Sequence, residues 1–339
     1  MNDTLPAEKI DQSKAYPPKA HLFLAFSLAV TLLWPLKPHI LCPYLSWNPF
    51  VWFCCLGMVA LSIGRFHGVR HPFPAPELVL FLCPVGTSIF LTFLKVPALD
   101  ELLLAFDRNY GYFEMPIARV IYQSMALDLF FRVIYLSLML AIALLYLALP
   151  TARARKRFVG AVVLVAVIIL PMFAICPGAG PVYLLKDGFP GWASDMTHPQ
   201  ARILSAPLNT TPSGHLAWAI LVFWFARKYC PKTVQIAAGI FMAGTCIATL
   251  TTGEHYIIDL VLAVPLAAGI WALVHRQWRF AGISMIVVLA WLLALREGWA
   301  LTIPPVLVWI LTGMTIAPFA LDDADHELHV PVVQPSYIF

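Results

Sequence analysis

Long runs of apolar residues, separated by short polar connections, dominate the chain. Ten of these runs reach or approach the roughly 20 residues that an α-helix needs to cross a bilayer. They are residues 21–42, 48–64, 76–95, 127–149, 158–177, 214–229, 233–252, 256–275, 280–296 and 300–320. Because the runs are continuous rather than alternating, they indicate helices and not the strands of a membrane barrel. The pattern therefore predicts an all-α, polytopic membrane bundle of about ten transmembrane helices.

The interval 98–126 interrupts this pattern, because acidic and basic residues recur between its leucines and isoleucines. It is too polar to cross a bilayer as an ordinary helix. Its mixture of polar and apolar positions is typical of an amphipathic or re-entrant element. We therefore expect this segment to lie at the outer membrane surface.

Composition supports a membrane protein. Hydrophobic residues make up 60% of the chain and charged residues only 12%, whereas a soluble domain has roughly a quarter charged residues. The net charge of +4 is small, and no nucleic-acid partner is expected. The seven cysteines show no paired spacing, so neither a disulfide framework nor a cysteine-based zinc site is predicted.

The basic residues are distributed unevenly among the connections. The N-terminal tail and the connections after the second, fourth, sixth and eighth runs are all basic. Since basic connections face the cytoplasm, both termini are predicted to be cytoplasmic. The connections after the fifth and seventh runs are then expected to face the periplasm or lumen.

Two polar clusters lie in these two outward-facing connections. The first is Thr211–His215 and the second is Gly253–Asp259. His215 and His255 are 40 residues apart, which is enough for two membrane-spanning helices and a short turn. The two histidines are therefore predicted to meet at one level of the membrane.

Each cluster has its own chemistry. His255 and Asp259 are spaced to share one helix face, where the carboxylate can fix the tautomer and leave one ring nitrogen as nucleophile or base. Thr211–Ser213 predicts a capped helix start, whose free N–H groups attract anions. Gly214 allows an anion to approach closely, and His215 can then act as a general acid.

These motifs resemble the type 2 phosphatidic acid phosphatase superfamily. The resemblance rests on Pro212–His215 and His255–Asp259, and the context of Trp218 and Gly253–Tyr256 is similar to the inositolphosphotransferase branch. That branch includes the inositol phosphorylceramide synthases. The resemblance implies a catalytic core of six helices and a mechanism that needs no metal or other cofactor.

The resemblance also implies roles for residues. His255 would be the nucleophile that becomes a phosphohistidine, Asp259 its partner and His215 the proton donor. Ser213 and Gly214 would contact the phosphate.

Two basic motifs of the superfamily are absent. The lysine and Arg-Pro motif is missing, and Ala248 and Thr249 stand where Ser-Arg is usual. A transferred phosphoryl group needs its negative charge neutralised. Lys186, Arg202 and Arg108 are the outward-facing candidates for this role.

The apolar runs, the basic connections and the resemblance together divide the chain into five segments. These are a cytoplasmic tail (1–20), N-terminal membrane helices with the outer-face segment (21–150), the catalytic core (151–280), C-terminal membrane helices (281–320) and a second cytoplasmic tail (321–339).

Several functions remain open from the sequence. The first is an integral-membrane lipid phosphatase or phosphotransferase, which takes a lipid phosphate at the outer face and passes the phosphoryl group to water or to a hydroxyl-bearing acceptor. The second is a phospho-headgroup transferase of the inositol phosphorylceramide synthase type. A zinc hydrolase using His215, His255, Asp259 and Glu254, and a non-enzymatic lipid transporter, are the further alternatives.

Overall fold

The computed structural model describes residues 49–66, 96–185, 189–190 and 208–321. Every regular element of this described part is a helix. The helices are α1 (Pro49–Phe66), α2 (Asp100–Asp107), α3 (Glu114–Tyr122), α4 (Met125–Leu136), α5 (Leu138–Ala148), α6 (Ala152–Ile175), α7 (Pro181–Leu185), α8 (Gly214–Tyr229), α9 (Lys232–Thr251), α10 (Ile257–Val274), α11 (Trp278–Arg296) and α12 (Pro305–Leu321).

Four of these helices, α6, α9, α10 and α11, are long and apolar enough to cross a membrane. Helices α4 and α5 add a fifth candidate span if they are counted together, although they are bent by 55° where they meet. The predicted runs 21–42 and 76–95 lie outside the described residues. The all-helical prediction is confirmed for the described chain, and the count of about ten spans is not.

The helix ends follow local chemistry. The side chain of Thr151 accepts a hydrogen bond from Ala154 N at the start of α6, as a capping residue should. Helix α8 ends at Tyr229, directly before Cys230 and Pro231, because proline cannot continue a helix and disfavours helical geometry in the residue before it.

Helix α10 is the centre of the bundle. It packs against α6, α8, α11 and α12, and nearly all of its side chains are buried. A helix that is apolar on every face is stable only when neighbours surround it. Because α10 begins two residues after His255, this central helix fixes the position of the second polar cluster.

The segment 98–126 forms the short helices α2 and α3, and its position at the outer membrane surface stays a prediction. Asp100, Asp107 and Glu114 are buried, while Arg108 is exposed. The exposed face of α3 instead carries apolar side chains such as Val120. In this segment the acidic residues therefore lie inside the bundle, where Asp100 and Asp107 accept hydrogen bonds, and apolar side chains lie on its surface.

Asp107 and Glu114 form a buried acidic pair next to α10. Asp107 Oδ2 accepts a hydrogen bond of 2.9 Å from the backbone N–H of Ile257, at the start of that helix. A carboxylate there also interacts favourably with the helix dipole. Both oxygens of Glu114 lack a hydrogen-bond partner among the described residues. Burial raises the pKa of Glu114 to about 7, and burial together with the Glu114 charge raises the pKa of Asp107 well above its usual value.

This pair predicts a pH-dependent stability. The folded protein keeps the Glu114 proton up to a pKa of about 7, whereas the unfolded chain loses it near 4.5. The contribution of Glu114 to the free energy of unfolding is therefore greatest when the pH is below its unfolded-state pKa. It is lost as the pH rises through its folded-state pKa. We expect the thermal midpoint of the purified protein to decrease as the pH is raised from about 5 to about 8. Glu114→Gln should make the thermal midpoint depend less steeply on pH.

Glu297→Gln provides the matched control, because the Glu297 side chain is 53% exposed. It should keep the wild-type slope. An unchanged slope in Glu114→Gln would show that the buried pair does not titrate in this range.

Candidate active site

His255 lies in the short turn between α9 and α10, not on a helix as its spacing from Asp259 had predicted. Its Nδ1 is 3.0 Å from the backbone oxygen of Thr210 and 3.4 Å from Asp259 Oδ2. The ring is almost fully buried. The orientation of His255 therefore depends on the Thr210 carbonyl as well as on the predicted aspartate.

This arrangement selects one tautomer. A backbone carbonyl can only accept a hydrogen bond, so the contact with Thr210 requires the proton to be on Nδ1 of His255. In the neutral ring the lone pair is then on Nε2, which is 3.2 Å from Ser213 Oγ. The serine hydroxyl can donate to that nitrogen. Nε2 is therefore the basic and nucleophilic atom of His255.

Asp259 joins the two polar clusters. Its Oδ1 accepts a hydrogen bond of 2.6 Å from Thr211 Oγ1, and its Oδ2 accepts one of 2.8 Å from Tyr256 N. Its backbone oxygen accepts a third from Ser213 N at 3.0 Å. The carboxylate is fully buried, so these donors compensate for the loss of water. Asp259 thus holds both the start of α8 and the start of α10.

The predicted helix cap at the first cluster is confirmed for Ser213, whose Oγ accepts a hydrogen bond from Leu216 N at 3.3 Å. Gly214 follows as the first residue of α8. A Cβ there would lie 3.2 Å from Ile169 Cδ1, so close packing against α6 also favours glycine. Contact of Ser213 and Gly214 with a phosphate stays a prediction.

His215 faces the same region from α8. Its ring stacks on Tyr135 with a centroid distance of 4.0 Å and an interplanar angle of 11°. The centroids of His215 and His255 are 6.3 Å apart. The two histidines thus lie side by side, as the hairpin between them had predicted, and Tyr135 of α4 adds an aromatic support that the sequence did not indicate.

Asp100 holds the loop before α7 against this site. Its carboxylate accepts hydrogen bonds from Ala179 N at 2.9 Å, Gly180 N at 2.8 Å and the Tyr256 hydroxyl at 2.8 Å. Sequence reasoning missed this residue because it treated 98–126 as a surface segment. The available signal was an acidic residue just before the apolar stretch Leu102–Leu104.

The loop in turn positions residues on either side of His255. Thr210 N donates to Gly178 O at 3.1 Å, and Val182 N donates to Gly253 O at 2.9 Å. Gly180 has a φ of +106°, and a Cβ there would be 2.7 Å from the carbonyl group of Glu254. Only glycine permits this backbone contact.

Glu254 lies next to His255 and is turned toward α7. Its Oε1 accepts a hydrogen bond from the Tyr183 hydroxyl at 3.4 Å. Burial raises the pKa of Glu254, although the charges of His255 and Arg132 and the Tyr183 hydrogen bond oppose that shift. The site therefore contains a second carboxyl group that ionises less readily than an exposed one.

Of the three predicted phosphate-binding cations, the structure describes one, Arg108. Lys186 and Arg202 lie outside the described residues. Arg108 is exposed directly after α2, and its role in binding phosphate stays a prediction. The described residues also contain no group of three or more His, Cys, Asp or Glu side chains arranged to hold a metal ion, so the four residues of the zinc alternative do not form one.

Apolar helices around the buried His255 and the half-buried His215 fit a membrane enzyme of the phosphatase type. The family model of the PAP2 superfamily matches residues 101–273, about half of the chain, and the chain belongs to that superfamily. The match includes α3 to α5 as well as both polar clusters. No curated protein and no solved structure matches the chain significantly.

The close approach at Gly180 predicts that Gly180→Ala destabilises the protein. The added methyl group would collide with the Glu254 backbone at a positive φ, at a cost on the order of 3 kcal/mol. We expect a lower thermal midpoint and, through displacement of the turn that carries His255, a lower turnover.

Gly111→Ala is the matched control, because Gly111 also has a positive φ of +75° but nothing within 4 Å of its Cβ position. It should lose only about 1 kcal/mol and keep its turnover. Equal losses of stability in both variants would contradict a close contact at Gly180.

Proposed function

We propose that the protein is an integral-membrane lipid phosphatase or phosphotransferase that works through a phosphohistidine on His255. The observation that carries this proposal is the hydrogen bond from His255 Nδ1 to the Thr210 carbonyl. It leaves the Nε2 lone pair beside Ser213, at the N-terminal end of α8. A helix start with free N–H groups is suited to an anion, so an incoming phosphate would meet the nucleophilic nitrogen.

The first half-reaction breaks the ester bond. Nε2 of His255 attacks phosphorus, an N–P bond forms, and the P–O bond to the leaving group breaks. His215, in its protonated form, gives its proton to the departing oxygen. The rings of the two histidines are neighbours, with centroids 6.3 Å apart, which supports placing the nucleophile and the proton donor in one reaction centre.

The second half-reaction releases the phosphoryl group. His215, now neutral, accepts a proton from water or from an alcohol, whose oxygen attacks phosphorus as the N–P bond breaks. Water as acceptor gives a phosphatase, and a hydroxyl-bearing acceptor gives a phosphotransferase. If the ester bond on the other side of phosphorus breaks, the phospho-headgroup is transferred instead.

The surroundings of the site support a lipid as the substrate class. Helices α3 and α4 stand beside the site and expose apolar side chains, among them Val120, Leu129 and Phe130. Such surfaces match acyl chains better than water. A phosphate ester on a lipid would thus extend its tail along the bundle while its phosphate reaches the histidines. The distribution of basic residues supports placing this site on the periplasmic or lumenal face.

This mechanism predicts that His255→Gln abolishes turnover, since the nucleophile is lost. His215→Gln should lower it by about 10²- to 10⁴-fold. Vanadate, which mimics five-coordinate phosphorus, should inhibit the wild type. The measurement is release of phosphate, together with mass spectrometry of lipid products, from protein in vesicles that contain candidate lipid phosphates and alcohols.

His275→Gln is the matched control. This histidine lies after α10, at its other end, with Nδ1 2.8 Å from Trp271 O, and its replacement should leave turnover near the wild-type value. Wild-type turnover in His255→Gln would defeat the proposal, and activity lost in EDTA but restored by zinc would favour the metal-dependent alternative.

A further inference from the structure

One face of α4 is polar within an otherwise apolar helix. Asp128, Arg132 and Tyr135 follow each other at intervals of four and three residues, so they share a helix face. An arginine in a candidate membrane span is costly unless it has a functional or pairing role. This face therefore needs an explanation beyond packing.

The polar face of α4 adjoins the reaction centre. Tyr135 stacks on the ring of His215, and Arg132 lies one turn before it on the same face. The Arg132 charge also reaches Glu254, because it is one of the groups that oppose the burial-induced rise in the pKa of that carboxyl. Arg132 is thus within electrostatic range of the turn that carries His255.

The guanidinium of Arg132 is held in place and still has donors available. Its Nε donates to Asp128 Oδ1 at 2.8 Å and to Oδ2 at 2.9 Å, and its Nη2 donates to the Tyr122 hydroxyl at 3.2 Å. No described residue accepts a hydrogen bond from Nη1, and the side chain is 44% exposed. A fixed guanidinium with unused N–H groups is suited to a phosphate oxygen.

Helix α9 offers no cation near His255, because its one basic residue, Lys232, is at the opposite end of the helix. Ala248 and Thr249 are fully buried, and Thr249 Oγ1 donates back to the carbonyls of Thr245 and Cys246. The positive charge that a transferred phosphoryl group requires must then come from another element.

We propose that Arg132 binds a phosphate oxygen of the substrate beside His255 and His215, with Asp128 and Tyr122 positioning its guanidinium. This inference rests on the proposed function. It adds a binding residue from α4, outside both polar clusters.

The test is equilibrium binding of orthovanadate to the full-length protein in detergent, measured by calorimetry, together with inhibition of phosphate release. Arg132→Gln should weaken vanadate binding by about 10-fold or more, because a charge-assisted hydrogen bond is lost. Arg132→Lys keeps the positive charge but loses the planar guanidinium. Its vanadate affinity should therefore lie between those of the wild type and Arg132→Gln.

Arg279→Gln is the matched control, since it removes an exposed arginine of α11 without touching α4. Its vanadate affinity should stay within about two-fold of the wild type, as expected for a solvated charge. Wild-type affinity in Arg132→Gln, or an equal loss in Arg279→Gln, would overturn the assignment. Thermal midpoints measured without vanadate show whether Arg132→Gln has folded. If it has not, the vanadate affinity of Arg132→Lys decides whether Arg132 binds the anion, and wild-type affinity in that variant would overturn the assignment.

The two proposals fail in different ways. If the wild type binds vanadate and His255→Gln has no turnover, but Arg132→Gln behaves as the wild type, only the Arg132 assignment is wrong. If the wild type neither binds vanadate nor releases phosphate from any lipid phosphate, the proposed function itself is wrong.

Discussion

The hydrogen bond between His255 Nδ1 and the Thr210 carbonyl is the constraint on which the site depends. It decides which ring nitrogen has the lone pair, and hence which atom can attack phosphorus. Thr210 can make this contact because its own N–H is bonded to Gly178 O. Asp259 then holds Thr211 and Tyr256 on either side. The aspartate thus acts as much by fixing the backbone around the histidine as by facing its ring.

Buried acidic residues hold the backbone around His255 in place, but their burial costs desolvation free energy. Asp100 ties the loop before α7 to the Tyr256 hydroxyl, and Asp107 caps the first N–H of α10. Removing a carboxylate from water is unfavourable unless donors replace the water. Asp100 has three donors, whereas Glu114 has none within the described chain. The latter group is therefore the one whose charge is least stabilised.

Sequence reasoning succeeded where the information is local. Apolar periodicity predicted the helices, the capping pattern predicted Ser213, and the length of the hairpin predicted that His215 and His255 meet. It failed where a contact joins distant segments. The roles of Thr210, Asp100 and Tyr135 depend on packing between elements far apart in the chain, and no spacing rule connects them to the histidines. The burial of the acidic residues in 98–126 was likewise not predicted, because only the folded bundle supplies the donors of Asp100 and Asp107.

The most direct test of the central claim is to trap and locate the phosphorylated residue. Purified protein would be mixed with a lipid phosphate and quenched in alkali, which preserves phosphohistidine. Mass spectrometry would then identify the residue, and phosphorus NMR the ring nitrogen. The tautomer set by Thr210 predicts a phosphoryl group on Nε2 of His255. A phosphoryl group on Nδ1, on another residue, or on none during turnover would contradict the account.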